Sequence, residues 1–289
     1  MLRSMTGFGR AEGVVNGRKL TVEVRSLNSK QLDLLVKVPG SYKENEIELR
    51  RIAGERIVRG KAEVFIGVEG LHAAKRTSFD RQLIEAYHTE LSAIAQAVAP
   101  DAKTDLLALV LRMPDVMTQA TDQVGEEEWT GALELFNEAL GRFDGFRSAE
   151  GQRLQEELAG RVASIERLLA EAERSDPARI ERTRERIATK LAEIQAKVDP
   201  ERFEQELVYY LEKLDITEEK VRLRSHCTYF KETMGGDTEQ GRKLNFIAQE
   251  MGREINTIGS KANDATIQRL VVMMKDELEK VKEQVLNVL

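Results

Sequence analysis

The spacing of apolar residues changes once along this chain, and that change constrains the fold more than any other feature. Through the first 70 residues the spacing is mostly two. Lys19 to Ser26 reads Lys-Leu-Thr-Val-Glu-Val-Arg-Ser, with Leu20, Val22 and Val24 on one face, and Leu32 to Val38 and Ala62 to Val68 have the character of further strands. Between them Tyr42 to Ile57 spaces Ile47, Ile52 and Ile57 as a helix does, after a break at Pro39-Gly40. A β-β-α-β unit is predicted, a small sheet with a helix on one face. From Asp80 onward the period is helical almost throughout, in Leu83 to Val98, a stretch interrupted at Pro114, and Trp129 to Phe143. The predicted class is α+β: a small N-terminal mixed sheet domain with a large helical body.

Two long patterns rich in Glu, Arg, Lys and Ala, Glu150 to Arg174 and Pro177 to Val198, flank Ser175-Asp176-Pro177. Leu154, Leu158, Val162, Ile165 and Leu169 stripe the first; Ile180, Ile187, Leu191, Ile194 and Val198 stripe the second. They predict a long antiparallel helical hairpin, an arm suited to packing back on its own domain or pairing with another subunit. The chain then divides into 1–145, an α+β domain with its sheet in 1–70; 146–200, the hairpin; and 201–289, a C-terminal helical domain with the candidate site. Asp215 and Glu218 have the spacing of a capping box, which predicts a helix start there.

Composition excludes several functions. Of 289 residues 41% are hydrophobic and 33% charged, ample for a core. No run approaches the length of a membrane span, and Met1-Leu-Arg-Ser lacks the apolar segment of a secretory signal, so a cytoplasmic protein without a membrane partner is expected. The single cysteine, Cys227, rules out an internal disulfide framework and a multi-cysteine zinc site, and its helical setting predicts a packed thiol. A net charge of −6 argues against a uniformly basic nucleic-acid binder, yet bases prevail through Gly70 while acids gather at 201–219 and 276–283. Such a division can hold a polyanion with one region and a metal with the other. There is no Walker loop and no GxGxxG. Nor is there a Ser/His/Asp order worth naming, since His72 falls in a loop and His88 on a surface helix. Hydrolytic chemistry here would be carboxylate and metal chemistry.

The segment Gly241 to Lys261 carries the strongest local signal. Leu244, Ile247, Ala248, Met251, Ile255 and Ile258 form one apolar stripe at helical spacing, and Glu250 and Glu254 run along its edge. A carboxylate half out of water needs an arginine, a lysine or a divalent cation. Asn245, Gln249 and Asn256 make the other edge neutral and hydrogen-bonding. If the neighbouring helices converge, Glu219 and His226 from one, Glu250 and Glu254 from the next and Glu277 from the last supply an oxygen-rich site with one imidazole, suited to Mg²⁺ or Mn²⁺. A surface lattice in which Glu250 and Glu254 meet Arg253 accounts for the same letters, and both readings stand on spacing alone.

Several separated motifs sharpen this. Ser4-Met-Thr-Gly-Phe-Gly-Arg10, Arg25-Ser-Leu-Asn28, Arg59-Gly-Lys61, Glu150-Gly, Glu212-Lys-Leu-Asp-Ile-Thr-Glu218 with Arg222-Leu and His226, and Gly241 to Lys261 together resemble the YicC/YloC family of bacterial stress-associated proteins. The resemblance implies a metal-dependent endoribonuclease (a nuclease and hydrolase) directed at single-stranded RNA. It also implies a ring-like homo-oligomer, with a hexamer as the expected size. Carried over position by position, it implies metal or acid/base roles for Glu250, Glu254 and His226, with Glu277, Glu219 and Glu212 as further metal ligands. It implies RNA contacts at Arg3, Arg10, Arg25, Arg59, Lys61 and Lys261. Gly252 departs from the larger polar residue usual in the family. An oligomeric RNA-binding adaptor that modulates other ribonucleases without cutting is the alternative, and in it Glu212 pairs with Arg222 and His226 is a core histidine.

Overall fold

The computed structural model describes residues 1–70, 77–101, 105–119, 124–193, 200–236 and 240–289. Strands β1 (Gly7–Val15) and β2 (Arg18–Leu27) form a hairpin over Asn16-Gly17. Both turn residues have positive φ, at 48° and 74°, as a two-residue hairpin loop requires. Strand β3 (Leu32–Lys37), a 3₁₀ turn at Gly40–Asn45, helix α1 (Glu46–Ile57) and strand β4 (Gly60–Gly70) follow. β4 pairs antiparallel with β2 and parallel with β3, giving the order β1-β2-β4-β3. The parallel pair needs a crossover, which α1 supplies. The β-β-α-β prediction is thereby met, with β1 as the additional strand.

Next come β5 (Thr77–Phe79), α2 (Arg81–Val98), α3 (Leu106–Val110) and β6 (Met117–Gln119), with β5 and β6 paired in a small second sheet. His88 is exposed on α2 as expected, and His72 lies outside the described residues.

Helix α4 spans Glu126–Glu193, 68 residues without a break, and would reach about 100 Å at the α-helical rise. The predicted hairpin is therefore corrected: Ser175-Asp176-Pro177 lies within one helix, and the expected boundary at 145/146 falls inside it too. Pro177 removes an amide that Glu173 would have bonded, a loss worth about 3 kcal/mol in an open helix. Tertiary contacts oppose that loss. Buried Asp176 accepts from Arg179 Nε at 2.8 Å and from Lys220 Nζ at 2.6 Å. Arg179, also buried, donates to the carbonyls of Ala262 at 3.1 Å and Leu214 at 3.0 Å, the C-terminal ends of two other helices. Residues that read locally as a turn thus form a buried node. From Ile180 to Lys190 no side chain of α4 is buried, and Ile180 and Thr183 line a small cavity with Val208 and Leu211 of the helix that follows.

Helices α5 (Pro200–Leu214), α6 (Thr217–Met234), α7 (Gln240–Ala262) and α8 (Ala265–Val285) complete the chain. Asp215 accepts from Thr217 N at 3.0 Å and Thr217 Oγ1 at 2.7 Å, which holds its carboxyl below the usual range and starts α6 where expected. Glu218 does not close the box; it pairs with Arg222 instead.

Two cores result. Inner-face residues of the sheet, Leu20, Val22, Val24, Val64 and Ile66, pack with Tyr42, with Leu49 and Ile57 of α1, and with Phe136, Leu140 and Phe143 of α4. Further along α4, Leu158, Val162, Ile165 and Leu169 pack with α6, α7 and α8. In that bundle α4 touches α6 and α8, and α7 touches the same two, so the α6/α7 and α4/α8 seams face opposite sides. The first residues of the chain stitch the cores together. Leu2 is buried in the bundle core, Ser4 bridges to Val288, and Met5 N donates to Asn287 O at 2.8 Å.

Candidate active site and nucleic-acid interface

The α6/α7 seam sets the positions of most predicted acids. At one end Lys261 Nζ bonds Glu219 Oε1 at 2.7 Å, which also fixes the register of these antiparallel helices. Two helical turns along each helix, about 10 Å of rise, bring His226 of α6 level with Glu254 of α7. Glu250 follows one turn on. Glu254 is 9% exposed and, among the described residues, neither it nor the half-buried His226 has a hydrogen-bond or ion-pair partner. Arg253 Nη1 stands 2.7 Å from Glu250 Oε1, yet that oxygen is dry and makes no hydrogen bond, so the pair is close without being aligned. At Gly252 an added Cβ would lie 3.2 Å from Leu278 Cδ2 on α8, a tight contact that a larger residue could make only if Leu278 shifted by a few tenths of an ångström.

The other two predicted ligands stand elsewhere. Glu277 lies on the opposite α4/α8 seam, 3.3 Å from Arg161 Nη1 and 3.1 Å from Lys280 Nζ. Burial alone would raise its carboxyl, but Lys280 and Arg161 outweigh that and hold it below the usual range. Glu212 is exposed near the end of α5, beside a smaller cavity of about 290 Å³ next to Arg179, and does not pair with Arg222. The expected convergence of all these acids does not occur: among the described residues no three His, Cys, Asp or Glu side chains are placed to hold a metal ion together. What the seam offers, spread along its length, is two carboxylates and an imidazole, with Glu250 Oε1 dry beside Arg253 and without a hydrogen bond. That chemistry fits a hard divalent cation.

The cationic residues separate more sharply. Arg10 is bound to Glu12 and Glu23, and Arg25 to Glu63 at 2.5 Å, in an exposed lattice on the solvent side of the sheet. Their guanidinium groups are held by carboxylates, Glu12 and Glu63 respectively raising them above the ordinary value. Lys261 is engaged with Glu219 inside the seam. Lys61 is exposed on β4. Only Arg3 and Arg59 come together, and they do so in a cavity of about 640 Å³ between the two cores.

That cavity holds a third guanidinium, Arg242, in the first turn of α7, together with Gln240 and the exposed Val58. Among the described residues Arg3 and Arg242 have no carboxylate partner, and Arg59 donates through Nε to Ser29 O at 3.1 Å. Beside it, Arg147 is 1% exposed; it donates to Ser4 O at 2.7 Å and Ile57 O at 3.4 Å, while its Nη2 is buried without a partner. Burial lowers the pKa of this guanidinium, and the nearby Arg3 charge lowers it further. Arg242 and Arg147 were missed from sequence. A signal for the first existed: α7 opens with Arg242 and Lys243 and no acid, against the preference of a helix N-terminus for negative charge.

Comparison with known proteins agrees with the motifs. A family model described as endoribonuclease YicC-like, N-terminal region, matches residues 2–156, and one described as endoribonuclease YicC-like, C-terminal, matches residues 172–289. A probable endoribonuclease YicC of Clostridioides difficile is 32% identical over 294 aligned positions, covering 100% of both chains. A probable endoribonuclease YicC of Haemophilus influenzae is 30% identical over 288, covering 99% of both. With both family models and relatives matched over its length, this protein belongs to the YicC-like endoribonuclease family.

Proposed function

We propose that this protein is an endoribonuclease that cuts single-stranded RNA with the help of a divalent cation, Mn²⁺ or Mg²⁺. The observation that carries the reading is the arrangement along α7. Its first turn presents Arg242 to a cavity shared with Arg3 and Arg59, and its later turns carry Glu250 and Glu254 with no hydrogen-bonded partner. Guanidinium groups without carboxylate partners suit phosphates, and a cavity of this size admits one or two nucleotides of a single strand rather than a duplex. From Arg242 to Glu250 the helix rises about 12 Å, so a strand anchored in the cavity lies within reach of the α6/α7 seam. Glu250 and Glu254 would hold the cation, with waters and phosphate oxygens completing its shell because no three acid or imidazole side chains are placed to share one ion among the described residues; it would supply Lewis acidity toward a phosphoryl oxygen and a more acidic bound water. His226, with a ring free of hydrogen bonds among the described residues, would accept a proton from the attacking water or 2′-hydroxyl. Exposed Val208 and Tyr209 of α5 and Val221 of α6 provide apolar surface for the homo-oligomer that the family resemblance implies.

The alternative, an RNA-binding adaptor that does not cut, draws support from the pairing of Glu219 with Lys261, Glu277 with Arg161 and Glu250 with Arg253. One experiment separates the two. Wild type and the Glu250→Gln/Glu254→Gln variant are incubated with labelled single-stranded RNA, with Mn²⁺ and with EDTA. Metal-dependent products from wild type alone are expected. Equal cleavage by both proteins would remove these glutamates from the mechanism, and binding without products would select the adaptor.

A further inference from the structure

The cavity between the two cores has features that an ordinary backbone-phosphate track does not need. Three arginines, Arg3, Arg59 and Arg242, line one cavity of about 640 Å³, within the range of small-molecule sites. The N-terminus of α7, a 23-residue helix, adds the positive end of its dipole at Gln240 and Arg242. Arg59 is delivered by strained backbone. Val58, immediately before it, has φ 63° and ψ −50°, a conformation that a β-branched residue rarely adopts, and it is 65% exposed. An exposed, strained valine contributes little to either core, whereas at this place it offers an apolar surface to a ligand.

We propose that this cavity binds a nucleotide-borne phosphomonoester, the phosphate at the end of an RNA strand or that of a free mononucleotide. An internal diester carries one negative charge and two free oxygens. A phosphomonoester carries close to two charges at neutral pH and three acceptor oxygens, a match for three guanidinium groups. Val58 then lies where a base or sugar can rest against it. The RNA arm of this assignment rests on the endoribonuclease reading; the mononucleotide arm does not.

The test is a binding measurement in EDTA, so that it is independent of cleavage. Fluorescence anisotropy compares one short single-stranded RNA carrying a 5′-phosphate, a 3′-phosphate or hydroxyl ends at constant ionic strength, with AMP as competitor. A phosphorylated end should tighten binding by about tenfold or more, the worth of one or two additional charge-assisted hydrogen bonds. Arg3→Gln and Arg242→Gln, at exposed side chains that no core needs, should erase that preference, so that each variant binds the phosphorylated RNAs no more tightly than it binds the hydroxyl-ended one. Displacement by AMP with no preference among RNA ends would identify the free nucleotide as the source. Equal affinity for all three RNAs together with no competition by AMP overturns the proposal, even where the same protein cuts RNA.

Discussion

Replacing Gly151 by alanine tests how the N-terminal segment is held against α4. In an unobstructed helix the change gains up to about 1 kcal/mol, because alanine loses less backbone freedom than glycine. Here the new Cβ would stand 2.1 Å from Leu2 O, 2.6 Å from Leu2 C and 2.8 Å from Arg3 Cα. An ordinary carbon to oxygen contact is near 3.3 Å, so the backbone at Leu2 must retreat by about 1.2 Å. It cannot do so freely. Leu2 is fully buried, Ser4 N donates to Arg147 O at 3.0 Å, and Leu289 N donates to Arg3 O at 2.9 Å. Overpacking of this kind costs about 1 to 3 kcal/mol, and loosening Leu2 adds part of the roughly 2 to 5 kcal/mol that a buried leucine is worth. A net loss of about 2 kcal/mol is expected in urea denaturation followed by circular dichroism. Gly160→Ala is the control: it lies on the same helix with nothing within 4 Å of its added Cβ, and it should stabilise by about 0.5 to 1 kcal/mol. Because Arg3 moves with Leu2, Gly151→Ala should also weaken RNA binding and Gly160→Ala should not. If both variants stabilise alike, the close approach of Leu2 to α4 is refuted.

Further outcomes follow from the same geometry. Asp176→Ala should cost about 3 to 5 kcal/mol, since it leaves buried Arg179 without its carboxylate; a loss under about 1 kcal/mol would mean that the node is not a stabilising element. The Cys227 thiol, pushed up to about 12 by burial and by Glu166, should resist a thiol reagent in the native protein and react at the rate of unfolding. Its raised value also gives a sign: the contribution to stability is complete below the unfolded value near 9 and falls as pH climbs from there toward 12, so alkaline titration should destabilise wild type more than Cys227→Ala. Arg10→Gln should change RNA affinity less than about twofold while Arg3→Gln weakens it severalfold, because Arg10 is committed to Glu12 and Glu23; an equal effect of the two would return the sheet face to the RNA path.

The outline of the fold was legible because each element announces itself locally. Alternation placed the strands, Asp215 marked the start of α6, and the stripe of Leu244, Ile247, Met251, Ile255 and Ile258 placed the buried face of α7. The site was legible residue by residue but not as a group. Glu254 was expected half out of water and is 9% exposed, and Arg3 and Arg59, both expected to meet RNA, line one cavity. Glu277 could not be assigned to a seam from its own helix, because its position beside an apolar stripe is the same whether that stripe meets α4 or α7.

The sequence alone determined the α+β class, the helical periods and the kinds of side chain available for phosphate and cation chemistry, since these depend on contacts within a few residues of one another. Tertiary structure decided the rest. It carried α4 through Pro177, because Asp176 and Arg179 find Lys220, Leu214 and Ala262 at distances along the chain that no local pattern encodes. It also brought Arg3, Arg59 and Arg242 into one cavity, because the first residues of the chain are stitched to its last, and the charge of a groove is a sum over segments that only packing brings together.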